Sequence, residues 1–261
     1  MIVIYFPARP PSAPSISASR RKMKFTAAVR ELFRKKNISF WLIAIAFGLA
    51  GGIQAVWGSL LDVNLKEIGV DQTEAGWFGF WGTLIGSLFA IFVGRVADFL
   101  VGKMKPLLLI LMTLYIVSGY WILIMVNLYI PYSTTQMYVA NILMGVAING
   151  FVPLIFEMAV ECSFPVPSEI ASAVVTVMFQ IPPPFFLLVF LIPNIGTGWM
   201  NWCQYIAFLV SFPLVLAVKE DYRRLRIDSS THEIGVSKPT QNSTPTIQGP
   251  GDPSTAPSEQ T

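Results

Sequence analysis

Residues 149–169 read NGFVPLIFEMAVECSFPVPSE. The run starts as an apolar helix of membrane type and takes a proline at Pro153. It then carries Glu157 and Glu161 four positions apart, and leaves through Phe-Pro-Val-Pro to a third carboxylate, Glu169. Residues i and i+4 share a helix face, so Glu157 and Glu161 are expected to point the same way. A carboxylate at or inside a bilayer is costly and calls for a partner or a task. The surrounding chain has to supply the membrane, the partner and the task.

The composition supplies the membrane. Of the 261 residues, 54% are hydrophobic and 13% charged, whereas a soluble domain carries about 25% charged residues. The net charge is +3, unevenly spread: nine of the 18 Lys and Arg precede Phe40 and five follow Val218. Cations that flank apolar segments are a membrane pattern, and nucleic acid is not an expected partner. Cys162 and Cys203 are the two cysteines, without metal-ligand spacing, and the lone His232 lies in the polar tail. With no histidine, metal cluster or nucleophile triad in an apolar window, neither a cofactor nor an enzyme activity is expected.

A span needs about 20 mostly apolar residues. Six windows qualify, at 40–61, 77–96, 106–126, 138–160, 170–192 and 199–218. The second has Gly79, Gly82, Gly86 and Ser87 at helical spacing, which lets helices approach closely. The fifth is broken by Pro182, Pro183 and Pro184. Before the first window, residues 1–39 read as a cytosolic linker rich in Pro and Ser, followed by a basic amphipathic segment, RRKMKFTAAVRELFRKK. That segment is either a lipid-binding helix or an orientation anchor. After the last window, residues 219–261 read as a disordered cytosolic tail.

Cations before span one, between spans two and three (Arg95, Lys103, Lys105) and after span six fall on one side if the spans alternate, so both termini are expected in the cytosol. The fold class is therefore all-α integral membrane, a six-span bundle. Six spans with both ends inside make one half of a twelve-span carrier, built from two inverted three-helix units. A six-span homodimer is the alternative.

A carrier's site is expected near mid-membrane on glycine- or proline-broken helices. The substrate-cavity candidates are Gln54 and Trp57 in span one, Asn141 and Asn149 in span four, and Gln180 in span five. An aromatic face can hold a cation, and a buried amide can orient a polar group. For Glu157 and Glu161, two like charges in low dielectric raise the proton affinity of at least one, which suits a proton relay. The competing reading is an ion pair that holds a gate, with Arg95, Arg223 or Arg224 as partner. Asp98 is expected near Ser168, where a helix N-terminus favours an anion. The motif YRRL at Tyr222 has the form of an endolysosomal sorting signal or of a basic juxtamembrane anchor. The acceptor sequences at Asn37 and Asn242 lie on the expected cytosolic side.

Two motifs carry a resemblance. GRVADFLVGKMK, residues 94–105, is similar to the loop signature of the major facilitator superfamily, with one extra residue between Asp98 and Gly102 and Phe99 where that family prefers a basic residue. FExxxExxFPxPxE, built from Phe156, Glu157, Glu161, Phe164, Pro165, Pro167 and Glu169, resembles solute carrier family 49. YFPARPP near the start, EAGWFGFW, VADF, WMNWC and KEDYRRLRID resemble the disrupted-in-renal-carcinoma 2 branch of that family. The resemblance implies the C-terminal six-helix half of a facilitator-type secondary carrier for a small organic solute. It further implies a pyridoxine-like or choline-like substrate, proton linkage and a lysosomal or other endomembrane location, the plasma membrane being the alternative. The expected partners are the lipid bilayer, the solute and either the missing N-terminal six-helix half or a second copy. A non-transporting receptor or scaffold is the other functional class the chain admits.

Overall fold

Long apolar runs that pay no cost for backbone groups in lipid must close their hydrogen bonds within each segment, so they fold as helices. The computed structural model describes residues 23–99 and 104–219. In chain order the helices are α1 (Phe25–Leu32), α2 (Ile38–Ser59), α3 (Leu61–Lys66), α4 (Gln72–Phe99), α5 (Met104–Val126), α6 (Thr134–Ser163), α7 (Ser168–Gln180), α8 (Pro182–Leu188) and α9 (Gly198–Ala217). Six stretches are long and apolar enough to cross a bilayer: α2, α4, α5, α6, the α7–α8 pair and α9.

The first apolar window, 40–61, is a helix over Ile38–Ser59. The helix ends at Ser59, and residues to 66 turn into the separate short helix α3. The fifth window is interrupted where the prolines stand: α7 ends at Gln180 and α8 begins on Pro182, because Pro182 can open a helix but cannot sit in its interior. Pro153, by contrast, is carried inside α6. It has no N–H to return to the carbonyl of Asn149. The basic segment before span one is helical at Phe25–Leu32. The proline-rich start, residues 100–103 of the loop signature, the side chain of Asp98, and the tail with YRRL, Arg223 and Arg224 lie outside the described residues.

Helix α6 is central, packing against α4, α5, α2 and α7, while α2 packs against α9, α7, α6 and α8. The core between them is aromatic. The Phe47 ring stacks on Phe179 at 5.2 Å and meets Phe156 edge-on at 5.6 Å. Tyr115 stacks on Phe208. Two close backbone approaches set the geometry. A methyl on Gly48 of α2 would lie 2.7 Å from the Met178 carbonyl oxygen of α7. On α6, a methyl on Gly145 would run into the Gly82 carbonyl of α4. Such contacts substitute for the missing hydrophobic drive between helices in lipid.

At the basic end of the bundle, Lys105 Nζ donates to the carbonyl oxygens of Leu216 and Val218, each at 2.7 Å, and so caps the C-terminus of α9. A cation there meets the negative end of the helix dipole. The α1–α2 corner is held similarly. Asn37 Nδ2 donates to the Glu31 carbonyl at 2.7 Å, and the Trp41 indole N–H donates to the Leu32 carbonyl at 2.9 Å. The Glu31 carboxyl is held below its ordinary range, chiefly by a hydrogen bond from Lys36 and further by Arg34.

Candidate functional site

Four of the five expected cavity residues converge. Gln54 and Trp57 of α2 and Asn141 and Asn149 of α6 line one cavity of about 400 Å³, closed by Gly79, Gly82 and Thr83 of α4 and by Phe179 of α7. Gln180, one residue beyond Phe179, is exposed and lies outside it. Among the described residues, no charged side chain lines this cavity. It adjoins a second space of about 490 Å³ bounded by the same Gly58, Ser59, Leu61, Gly79 and Thr83 and by Asp62 and Phe80. The pair forms a path from the α2–α3 end of the bundle inward. That end carries Asp62, Glu67, Asp71 and Glu74 against Lys66 among the described residues.

The amides are oriented by hydrogen bonds to their own and neighbouring helices. Gln204 Nε2 donates to the Tyr115 hydroxyl, which leaves the Tyr115 proton for Gln54 Oε1. Gln204 Nε2 also reaches Gln54 Oε1 at 3.0 Å. With its oxygen occupied by two donors, Gln54 can present only N–H groups elsewhere. Its Nε2 is the atom nearest to a methyl built on Gly58, at 3.7 Å, on the cavity wall. Across the cavity the order reverses. Asn141 Nδ2 donates to the Phe78 carbonyl of α4, and Asn149 Nδ2 donates to the Gly145 carbonyl at 2.9 Å. Each asparagine has one N–H engaged, and its carbonyl oxygen can accept a hydrogen bond from a solute. The two amides also bracket Gly145 by one helical turn on either side, so they bind the α4–α6 contact together while lining the space beside it.

Trp57 is only 1% exposed. Its indole N–H donates to Asn201 Oδ1 at 2.9 Å. Asn64 Nδ2 donates to the same oxygen at 2.7 Å, and Asn201 Nδ2 returns to Asn64 Oδ1 at 2.9 Å. Thr197 N–H donates to Glu67 Oε1 at 2.9 Å beside this pair. Helix α3 is thereby tied to the start of α9, and the indole is fixed with its polar edge turned to Asn201. The ring carbons are what remain for the cavity. Sequence reasoning missed Tyr115, Gln204, Asn64, Asn201 and Phe179. The recoverable signal was Asn201 and Gln204, polar residues at i, i+3 inside an apolar window.

The glutamates do not share an environment. Glu161 is 6% exposed and partnered, whereas Glu157, one turn earlier, is exposed. Glu169 lies in the exposed first turn of α7. Both ends of the expected α6 pair are on the basic side of the bundle, away from the cavity. Arg95 is exposed on α4 and makes no ion pair with a described residue. No group of three or more metal-ligating side chains occurs among the described residues.

No family model matches the chain. Among known proteins it is 35% identical over 230 residues to the solute carrier family 49 member 4 homolog of Xenopus tropicalis, covering 87% of this chain and 50% of that protein. It is 25% identical over 248 residues to the human choline/ethanolamine transporter FLVCR2, covering 89% of this chain and 45% of the relative. The chain thus spans about half the length of the relatives it matches. Six helices among the described residues are long and apolar enough to cross a membrane, which makes the chain a multi-pass membrane protein, and both relatives are named as carriers or transporters.

Proposed function

Given that the chain is a relative of solute carrier family 49, we propose that it forms one six-helix half of a secondary carrier that moves a small hydroxylated organic solute. The observation that supports this most is the oriented amide set in the cavity. Gln54 offers a donor, and Asn141 and Asn149 offer acceptors opposite it. A solute hydroxyl both donates and accepts, and so can satisfy both walls. The aromatic walls of Trp57 and Phe179 and the Asp62 carboxylate at the mouth favour a cation or a flat ring. Choline and ethanolamine, in the printed name of one relative, are hydroxylated cations. A pyridoxine-like compound, implied by the family resemblance, carries the same group on a ring.

The half is completed by an N-terminal six-helix half or by a second copy. The α4 window is 22% buried and the α7–α8 window 11% buried, and both present long apolar faces. Gln180, at the α7–α8 break, is a candidate solute contact on the face that such a partner would cover. In this reading Glu161, buried at the basic end, is a gate residue facing the cytosol. A lysosomal or other endomembrane setting with cytosolic termini goes with that arrangement.

The test is uptake of labelled choline and pyridoxine by the complete carrier in vesicles. Saturable uptake is expected, and Gln54→Leu should raise the half-saturating concentration by roughly tenfold, the effect of about one lost hydrogen bond of 1.4 kcal/mol. Binding without uptake in the wild type would turn the reading toward a receptor. Proton linkage has its own test, uptake across a pH gradient. A relay through the buried carboxylate predicts that Glu161→Gln loses the pH dependence while Glu157→Gln keeps it. Full dependence in both variants ends the relay and leaves the gate.

A further inference from the structure

Helix α1 has three faces that meet three different surroundings. Ala28 and Leu32 are fully buried, on the side where α1 meets α7. Phe25, Val29 and Phe33 form an i, i+4, i+8 row beside them. Phe25 is 68% exposed and Phe33 69%, with Ile38 of the next helix at 65%. Lys24, Arg30, Arg34 and Lys36 are exposed around this row. Glu31, the one carboxylate in the segment, is paired with Arg34 at 3.1 Å and with Lys36.

The apolar row is not isolated from the bundle. The Phe33 ring lies 4.8 Å from Trp41, in the first turn of the membrane-spanning α2. Trp41 in turn donates to the Leu32 carbonyl, and Asn37 to that of Glu31, so the angle between α1 and the span is fixed. The exposed aromatic surface therefore continues the lipid-facing surface of α2 at its end, rather than standing out in water. An in-plane helix with aromatic residues on one side and cations on the other buries its apolar side at the acyl boundary and sets its charges among headgroups. With cations outnumbering carboxylates four to one among the described side chains, the complementary headgroups are anionic.

We propose that α1 is a fixed in-plane helix that binds the anionic leaflet of the bilayer, and that the α1–α7 contact ties this lipid binding to the broken span. This goes beyond the transport reading and does not depend on it.

The experiment uses the whole chain, with Cys162 and Cys203 replaced by alanine and Phe25→Cys carrying a nitroxide. It is reconstituted in phosphatidylcholine vesicles with and without 30% phosphatidylserine, a composition of the order that gives an anionic leaflet. Oxygen reports acyl chains and a nickel chelate reports water. The expected result is a label relaxed mainly by oxygen in both vesicles, with phosphatidylserine retained by the chain in preference to phosphatidylcholine. Lys24→Gln with Arg30→Gln, two exposed residues outside the Glu31 pairs, should weaken phosphatidylserine retention in native mass spectrometry by about 25-fold, since each basic residue near such a surface contributes about fivefold. A label open to the nickel chelate in both vesicles overturns the proposal. So does a label shielded from both relaxants, which would mean that protein covers this face, and so does unchanged phosphatidylserine retention in the double variant, which removes charge selectivity.

Discussion

Gly145→Leu is expected to abolish the folded bundle, and Gly145→Ala to lower its thermal midpoint by about 6–12 °C in detergent, the shift that roughly 3 kcal/mol produces in a chain of this size. The reason is backbone against backbone. A methyl at Gly145 meets the Gly82 carbonyl carbon and oxygen, and a methyl at Gly86 meets the Gly145 carbonyl. Neither neighbour is the end of a flexible side chain, so α4 and α6 would have to separate. Separation would pull Asn141 off the Phe78 carbonyl and widen the cavity wall at Gly82. Gly119, buried in α5 with nothing within 4 Å of an added methyl, is the internal control. Gly119→Ala should be neutral or stabilising by up to about 1 kcal/mol, because only the helix propensity changes. Equal midpoints for Gly145→Ala and Gly119→Ala would show that the α4–α6 approach is looser than described.

Asn201→Leu is the second large effect. It removes the acceptor shared by the Trp57 indole and the Asn64 amide, and also the donor to Asn64 Oδ1. Asn64 and Asn201 are both buried. A buried polar group left without a partner costs about 1–3 kcal/mol, so the variant should lose about 3–5 kcal/mol. Asn64→Leu in the same chain should restore part of this, because two apolar groups in place of two amides leave fewer stranded atoms. A double-mutant cycle by thermal unfolding should give a coupling of about 1–3 kcal/mol. Additivity of the two substitutions would mean that the amide pair does not act as a unit. Uptake should fall with Asn201→Leu as well, since the freed indole is a wall of the cavity.

The two substitutions bear on different degrees of legibility. Gly82 and Gly86 were visible as a close-approach surface from their four-residue spacing in an apolar window. Their partner was not, since one glycine among the small residues of span four carries no pairing signal. The prolines at 182–184 announced the break in the fifth span, because a missing N–H acts locally. Asn64 fell outside every window and read as loop. Gln54 was recognised as a mid-span amide, but its orientation depends on Tyr115, 61 positions away, and Gln204, 150 away. The i, i+4 rule placed Glu157 and Glu161 on one face. Packing then buried one and exposed the other, because a face is wider than the seam where two helices meet.

By itself, the sequence determined what is local or additive. Hydropathy over about 20 residues set six helices long enough for a bilayer, the scarcity of charge within them set their environment, and the flanking cations set an expected orientation. The mid-span amides were legible as polar groups that needed partners. Only the tertiary structure decided which partners they have, which edge of each amide faces the cavity, and which glutamate is buried. Those outcomes depend on contacts between residues far apart in the chain. Helix periodicity fixes the direction of a side chain about its own axis, but not the neighbour it meets there.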